Sequence, residues 1–499
     1  MNLTLSGMAA VLYDGEPLTL TDDEMTRVER AYRFLSTFAE DKVIYGINTG
    51  FGPMAQWRVS DDRLTDLQYH IVRSHATGMG DPIDPVMVRA AMMARLGTFI
   101  QGHSGVHPDV VRMLRDMVNR HITPVVPRHG SVGASGDLVQ LAHIALAMIG
   151  EGRVWYGGLQ MAAAEALAAE GLTPLTLRLR DGLALTNGTA MMTGVATVNQ
   201  REAEHLLDRA LTAALWMNEV AGSYDDFMAE PLNAARRHHG QMDVARRLRQ
   251  MAEGSRCLTQ REHELYDTAH RETTTFERKV QAYYSLRCIP QIYGPVAETL
   301  ENARRIIEEE LQAANDNPII DVDSANVYHG GNFHGDYISM EQDKVKMAMT
   351  RVAMTAERQL NYLLHDRLNG ILPPFLCMAT PGLDYALQAY QFTATSTTAE
   401  CQTLAMPNYV HSIPNNQDNQ DIVSMGTNTA LLTTHVCRNV REVLTILYVA
   451  LAQATDCLHL ADRLAPATRR AYDMVRSIAP AITADRPPYG ELSALAAKL

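Results

Sequence analysis

The chain has 499 residues and a formal net charge of −13, from 44 Lys and Arg against 57 Asp and Glu. An acidic balance excludes the electrostatic footprint that nucleic acids and anionic lipid surfaces select, and a hydrophobic share of 46% excludes a disordered chain. Twenty-six Met against nine Phe and three Trp favour packed helices over a sheet sandwich, because unbranched side chains keep rotamer freedom in helices whereas strands favour β-branched and aromatic residues.

Residues 1 to 20 read as short strands or irregular structure, and with no basic stretch ahead of an apolar one no secretory signal is expected. A Gly-rich stretch from Gly130 to Leu138 feeds a helix over Asp137 to Gly150. Leu138, Leu141, Ala142, Ala145, Met148 and Ile149 share one stripe of it, Asp137 is placed as its N-cap and Gly150 as its stop. A short strand or irregular piece is expected at Arg153 to Gln160. From Pro295 a second helix carries Leu300, Ala303, Ile307, Leu311 and Ala314, and breaks at Asn315-Asp316-Asn317-Pro318. Ile319 to Tyr328 again reads as short strand. Gly335 to Asn369 and Thr427 to His459 run many turns without internal Pro and are apolar around much of their circumference, which suits a bundle interior or a subunit interface.

The longest apolar run, Val443 to Ala452, is about half the roughly 20 residues a bilayer needs, so no membrane span is expected. Six scattered cysteines (Cys257, Cys288, Cys377, Cys401, Cys437 and Cys457) have no CxxC pair and no His spacing for zinc. They read as reduced structural thiols, and the expected location is the cytoplasm. No repeat, low-complexity stretch or hinge linker is visible. The organisation expected is a loop-rich N-terminal lobe over residues 1–190 and a long-helix bundle over 191–499.

On spacing alone, Gly130-Ser131-Val132-Gly133-Ala134-Ser135-Gly136-Asp137-Leu138 is a loop with a helix cap or an anion cradle. It has neither a P-loop Lys nor G-x-G-x-x-G spacing. Ala134-Ser135-Gly136-Asp137-Leu138, however, resembles the signature of the aromatic amino-acid ammonia-lyase family, whose Ala-Ser-Gly cyclises autocatalytically into 4-methylidene-imidazol-5-one (methylidene-imidazolone). Gly136 has no Cβ, so its amide nitrogen can approach the Ala134 carbonyl in a backbone geometry other residues resist. Further motifs follow in the family's order: Tyr45-Gly46-Ile47-Asn48-Thr49-Gly50-Phe51-Gly52, Leu185-Thr186-Asn187-Gly188-Thr189, Tyr284-Ser285-Leu286-Arg287-Cys288, Asn315-Asp316-Asn317-Pro318, Gly331-Asn332-Phe333-His334 and Asn419-Gln420-Asp421.

The resemblance implies a mainly α fold with a fumarase/aspartase-like helical core, a long central bundle and a smaller loop-rich N-terminal lobe. It also implies a homotetramer whose active sites each draw on three subunits, and a cofactor made from Ala134, Ser135 and Gly136, with no external cofactor and no metal. By the same resemblance Tyr45 is the base that takes the β-proton if the site lowers its pKa, Asn187, Tyr284 and Gln420 surround the cofactor ring, and Phe333 packs beside it. Arg287 pairs with the substrate carboxylate, a bidentate match that holds the reacting carbons in register. Gly52, Ser74, His75, Leu138, Asn315, Asn416 and Asn419 complete the substrate-binding set.

Ser74-His75 is the family's selectivity pair, and read alone it points to histidine. Histidine ammonia-lyases, however, carry Glu where this chain has the neutral Gln420, and Tyr409 to Asp421 resembles bacterial tyrosine ammonia-lyases, in which the His donates a hydrogen bond to the phenol. The expected reaction is conversion of L-tyrosine to trans-p-coumarate and ammonia. A histidine ammonia-lyase, a tyrosine 2,3-aminomutase and an inactive helical scaffold are the alternatives.

Overall fold

The structure is a computed structural model that describes residues 1–266, 274–276 and 279–499. It is mainly helical, as expected. The described chain divides into two compact units. The first holds Met1–Arg201, Ala303–Asp343 and Pro407–Thr434, and the second Glu202–Asn302, Lys344–Met406 and His435–Leu499. The sequence reading divides the chain once, at residue 190; the units instead interleave, because the long helices Ala190–Val220, Asp336–Leu364 and Gly426–Cys457 each supply residues to both.

In the first unit, residues 1 to 20 form a helix over Leu5–Tyr13 and not the expected strand or irregular piece. Thr4 caps it by accepting from the Gly7 amide, and Leu5, Met8, Val11 and Leu12 are buried at helical spacing. The helix Pro85–Ile100 packs against Leu5–Tyr13, Asp22–Phe38 and Pro108–Asn119 and is buried at every residue from Ala90 to Ile100. One of those residues is Arg95. The expected strands form a hairpin, Arg153–Tyr156 with Leu159–Ala162, turned by Gly157 and Gly158, both at positive φ. The second expected pair is Ile319–Asp321 with Asn326–Tyr328.

The helix Leu138–Met148 is present, and Gly150 ends it at φ +82°. Asp137 occupies its N-cap position but makes no capping bond; its carboxylate is used elsewhere. The helix Leu64–His75 packs against both Leu138–Met148 and the short helix Asp181–Thr186.

The helix expected from Pro295 begins at Ile289 and ends at Leu311. Pro295 lies inside it because the preceding turn is held by the Ile292 amide on the Cys288 carbonyl and by buried Ile289 and Tyr293. The helix expected to reach Asn369 stops at Leu364, where the Asn369 amide donates to the carbonyls of Tyr362, Leu363 and His365 and satisfies the exposed end. The helix expected from Thr427 to His459 spans Gly426–Cys457. Among the described residues no helix is long and apolar enough to cross a membrane.

In the second unit Trp216 is fully buried, donates to Thr455 Oγ1 at 2.9 Å and meets Tyr448 edge-on at 5.9 Å. Beside it the buried Glu219 carboxylate accepts from Ser255 Oγ, the Ala465 amide and Thr468 Oγ1. Glu219→Ala leaves three donors without an acceptor, at about 1–3 kcal/mol for each one left dry. The melting temperature of E219A is therefore expected to fall by more than that of E219Q, which keeps an acceptor oxygen, as thermal denaturation followed by circular dichroism will show.

Candidate active site

The segment Ala134–Gly136 is held from both sides. Upstream, the Val132 carbonyl accepts from the Met425 amide at 2.9 Å, and the Gly133 carbonyl accepts from the Gly335 amide and Ser424 Oγ at 3.0 and 2.9 Å. Downstream, the Asp137 amide donates to the Gly188 carbonyl at 2.8 Å. Gly136 sits at φ +68°, and a Cβ added there lies 2.0 Å from the Gly188 oxygen. Only glycine fits between these backbones.

The Asp137 carboxylate is fully buried and accepts from Ser131 Oγ at 2.7 Å, from the Met192 amide at 2.9 Å and from Thr427 Oγ1. Met192 and Thr427 lie in the first turns of Ala190–Val220 and Gly426–Cys457, and Asp137 itself precedes Leu138–Met148. One carboxyl group thus joins the starts of three helices. Burial pushes its pKa up while its donors pull it down.

Around Ser135, the Asn187 side-chain amide donates to the Ser135 carbonyl at 3.3 Å, and the Gln420 amide donates to Ser135 Oγ at 2.9 Å. Asn187 Oδ1 is buried and has no partner among the described residues. Gln420 is tied to Asn415 by an antiparallel bridge. Asn416 of the same turn, at φ +55°, stands so close to Gly52 that a Cβ on Gly52 lies 2.8 Å from its amide nitrogen. The Gly52 amide donates to the Tyr45 hydroxyl at 3.0 Å, and Phe51 meets the Tyr45 ring edge-on at 6.3 Å. Tyr45, Gly52, Asn416, Gln420, Ser135 and Asn187 therefore form one connected set. Burial raises the Tyr45 pKa above its ordinary value, with the Gly52 amide acting in the opposite direction. That reverses the expected lowering.

Gln68, fully buried on Leu64–His75, donates to the Gly46 carbonyl at 3.0 Å and accepts from the Leu183 amide at 3.1 Å. It staples the Tyr45 loop to the helix that leads into Asn187. At the end of the same helix His75 Nδ1 lies 2.9 Å from the Ile71 carbonyl and 3.0 Å from Ser74 Oγ. A carbonyl can only accept, so Nδ1 carries the proton, and burial, which lowers the His75 pKa, favours the neutral ring. Nε2 is then an acceptor, and the donor role expected of His75 is reversed.

Asn315 is not open to a ligand: Oδ1 accepts from Arg95 and Thr98 at 3.1 and 3.0 Å, and Nδ2 donates to Glu310 at 3.2 Å. Leu138 and Phe333 are half-buried and Asn419 is exposed. Tyr284 and Arg287 belong to the second unit, on one short helix, with the Arg287 guanidinium 5.0 Å from the Tyr284 ring centre. Among the described residues no group of three or more His, Cys, Asp or Glu is arranged to hold a metal ion.

The profile of the aromatic amino acid lyase family matches residues 3–477. The chain belongs to this family. It is 40% identical over 486 residues to a histidine ammonia-lyase of Geobacillus sp. (strain WCH70), covering 97% of this chain and 92% of that one. It is also 40% identical over 451 residues to a tyrosine 2,3-aminomutase of Myxococcus sp. (strain Mx-B0), covering 89% and 85%. Among solved structures, tyrosine aminomutase from Streptomyces globisporus superposes with a TM-score of 0.95 at 34% identity, over 99% of this chain and 94% of that one. The protein is therefore an enzyme of the class that breaks carbon–nitrogen bonds in aromatic amino acids.

Sequence reasoning missed Gln68, Arg95, Glu310 and the inward turn of Asp137. For Arg95 a signal existed, a lone cation inside the apolar run Ala90-Ala91-Met92-Met93-Ala94-Arg95-Leu96. Gln68→Ala leaves the Gly46 carbonyl and the Leu183 amide unpaired in the interior. A loss of about 1–3 kcal/mol in loop placement corresponds to a fall of roughly five-fold to more than a hundred-fold in ammonia release, measured on protein whose circular dichroism matches the parent.

Proposed function

We propose that the protein is a tyrosine ammonia-lyase, eliminating ammonia from L-tyrosine to give trans-p-coumarate without oxidation. The observation that carries this reading is the set Tyr45, Asn187, Gln420 and Ser135 gathered on a glycine-pinched Ala134–Gly136 segment. The residues present fit a methylidene-imidazolone made in place: Gly136 is held where no Cβ fits, Asn187 donates to the Ser135 carbonyl with its own Oδ1 unpartnered, and Gln420 reaches the Ser135 hydroxyl. Once formed, that group supplies an electrophile for the substrate amine, with no metal and no external cofactor.

The chain's own residues do the rest. Tyr45 takes the β-proton, which is barely acidic, so the phenol must first lose its own proton. Arg287, whose Nε has no partner among the described residues, offers its fork to the substrate carboxylate. Phe333 and Tyr284 add aromatic walls, and the neutral Gln420 amide suits a neutral phenol better than a carboxylate does. His75 Nε2 accepts from the phenol O–H and thereby favours tyrosine over phenylalanine. We assign the enzyme to the cytoplasm as a homotetramer with sites shared by three subunits, a reading supported by exposed Phe392, Met406, Val410, Ile413 and Ile422, more apolar surface than an isolated chain leaves open.

A second reading, tyrosine 2,3-aminomutase, is favoured by the Myxococcus and Streptomyces relatives. The three amino acids tyrosine, histidine and phenylalanine, supplied separately, separate the readings: p-coumarate with free ammonia is expected, urocanate as main product overturns the tyrosine reading, and accumulation of β-tyrosine assigns the mutase. His75→Leu is expected to lower the ratio of kcat/KM for tyrosine over phenylalanine about tenfold, the equivalent of about 1.4 kcal/mol; an unchanged ratio removes His75 from this role.

The raised Tyr45 pKa fixes the sign of the pH dependence. Below that pKa the phenolate fraction rises about tenfold per pH unit, so kcat/KM is expected to climb on the alkaline side of neutrality, and Tyr45→Phe to abolish the climb. A maximum on the acid side, measured by initial rates across pH, excludes Tyr45 as the base.

A further inference from the structure

Arg95 is an arginine in the middle of a buried apolar helix, with no surface within reach. Its Nε donates to the Ala184 carbonyl at 3.0 Å, Nη2 to the Asn187 carbonyl at 2.7 Å and also to Ala184, and Nη1 to Asn315 Oδ1 at 3.1 Å. Asp316, 3.6 Å away, supplies a countercharge that it shares with Arg180, and the guanidinium plane lies 4.7 Å from the Phe99 ring centre. The two carbonyls it holds are freed at the end of the helix Asp181–Thr186, where cations are favoured. The fork lands on the turn that carries Asn187 and Gly188. Gly188, at φ +152°, has no room for a Cβ: one added there lies 2.2 Å from Arg95 Nη1 and 2.7 Å from the Asn315 oxygen. On its other side the same glycine presses on Gly136. Arg95, the Asn187–Gly188 turn and Gly136 are thus stacked in one line of contact.

We propose that Arg95 is the positioning residue for ring closure of Ala134-Ser135-Gly136, acting through Asn187 and Gly188. This rests on the ammonia-lyase reading above. In ring closure the Gly136 amide nitrogen bonds to the Ala134 carbonyl carbon. The Ala134 oxygen leaves as one water with the Gly136 and Ser135 amide protons, and the Ser135 hydroxyl leaves as a second water with the Ser135 α-proton. The first bond requires two backbone atoms to be pushed together against their repulsion, so whatever stands behind Gly188 decides whether Gly136 can yield backward. A forked guanidinium tied to three acceptors is a stiff backing. A side chain of similar length without donors frees the turn to relax.

Intact mass of the purified chain reads this directly, apart from any activity. The parent is expected to be two waters lighter than its sequence mass, and Arg95→Met to keep both waters in most chains while retaining the parent's circular dichroism and a cooperative melt. Guanidinium ion added to Arg95→Ala at concentrations too low to denature is expected to restore the loss of both waters. If R95M does not fold, R95K, which keeps the charge and loses the fork, carries the test and is expected to be incompletely dehydrated. A folded R95M or R95K that loses both waters as completely as the parent overturns the proposal, as does a failure of guanidinium to rescue R95A. A parent chain that itself retains both waters counts against the ammonia-lyase reading instead.

Discussion

The arrangement of the site depends on one contact between two stretches of backbone, Gly136 against Gly188. Neither position tolerates a Cβ, and the Asp137 amide closes the contact on the Gly188 carbonyl. Because the two segments meet through main chain alone, their separation is set by what lies behind each of them. Behind Gly188 stands Arg95. On the other strand, next to Gly136, stands Asp137, whose carboxylate is anchored to the beginnings of two further helices. Moving either segment means parting Arg95 from its acceptors or Asp137 from its donors in the interior, which is why so short a loop can be held in so narrow a geometry.

The density of buried charge near this contact would be a poor device for stability. Arg95 and Arg180 share Asp316, Glu310 accepts from Thr189 and Asn315, and burial raises the Glu310 pKa, with nearby Asp137 adding to the rise. Burial also brings the Arg95 pKa down to about 10. Desolvating such groups commonly costs about as much as their pairing returns, and apolar replacements of the same volume are often as stable. What charged groups supply and apolar ones do not is direction: each fixes the place of a particular carbonyl or amide. The carbonyls and amides fixed here belong to Ala184, Asn187, Asn315 and Met192, on elements that converge on Ala134–Gly136.

The helices Leu138–Met148, Ile289–Leu311 from Pro295 onward, Asp336–Leu364 and Gly426–Cys457 were legible because helical stripes are local signals, whereas at 153–160 and 319–328 only short strand or irregular structure was legible and the pairing was not. Leu5–Tyr13 was not, although Thr4 and the spacing of Leu5, Met8, Val11 and Leu12 carry it; nine residues leave little periodicity to read. Ile289–Gly294 was lost because Pro295 resembles a helix start, and only tertiary packing of Ile289 and Tyr293 shows otherwise. Tyr45, Asn187 and Gln420 were legible through motif resemblance, and the structure adds how they touch. The roles of Gln68 and Arg95 were not legible, because each acts by bonding to main-chain atoms remote in sequence, and main-chain acceptors leave no trace in residue identity.

His75 shows the same limit at the level of a single proton. A histidine in a selectivity position can be written as donor or acceptor with equal ease until its other nitrogen is accounted for. With Nδ1 spent on the Ile71 carbonyl, a neutral ring can only accept, so it selects for a group that donates. A phenol hydroxyl and an imidazole N–H both donate, whereas a phenyl ring does not. In the role proposed for it, His75 therefore separates tyrosine and histidine from phenylalanine but not from each other. The remaining distinction falls to charge, and there the neutral Gln420, committed through its amide to Ser135 Oγ, offers no carboxylate to an imidazolium. On the proposed tyrosine reading, selectivity between the two donors falls to the residue that also touches Ser135, so a substitution at Gln420 that changes the substrate also disturbs the Ser135 contact.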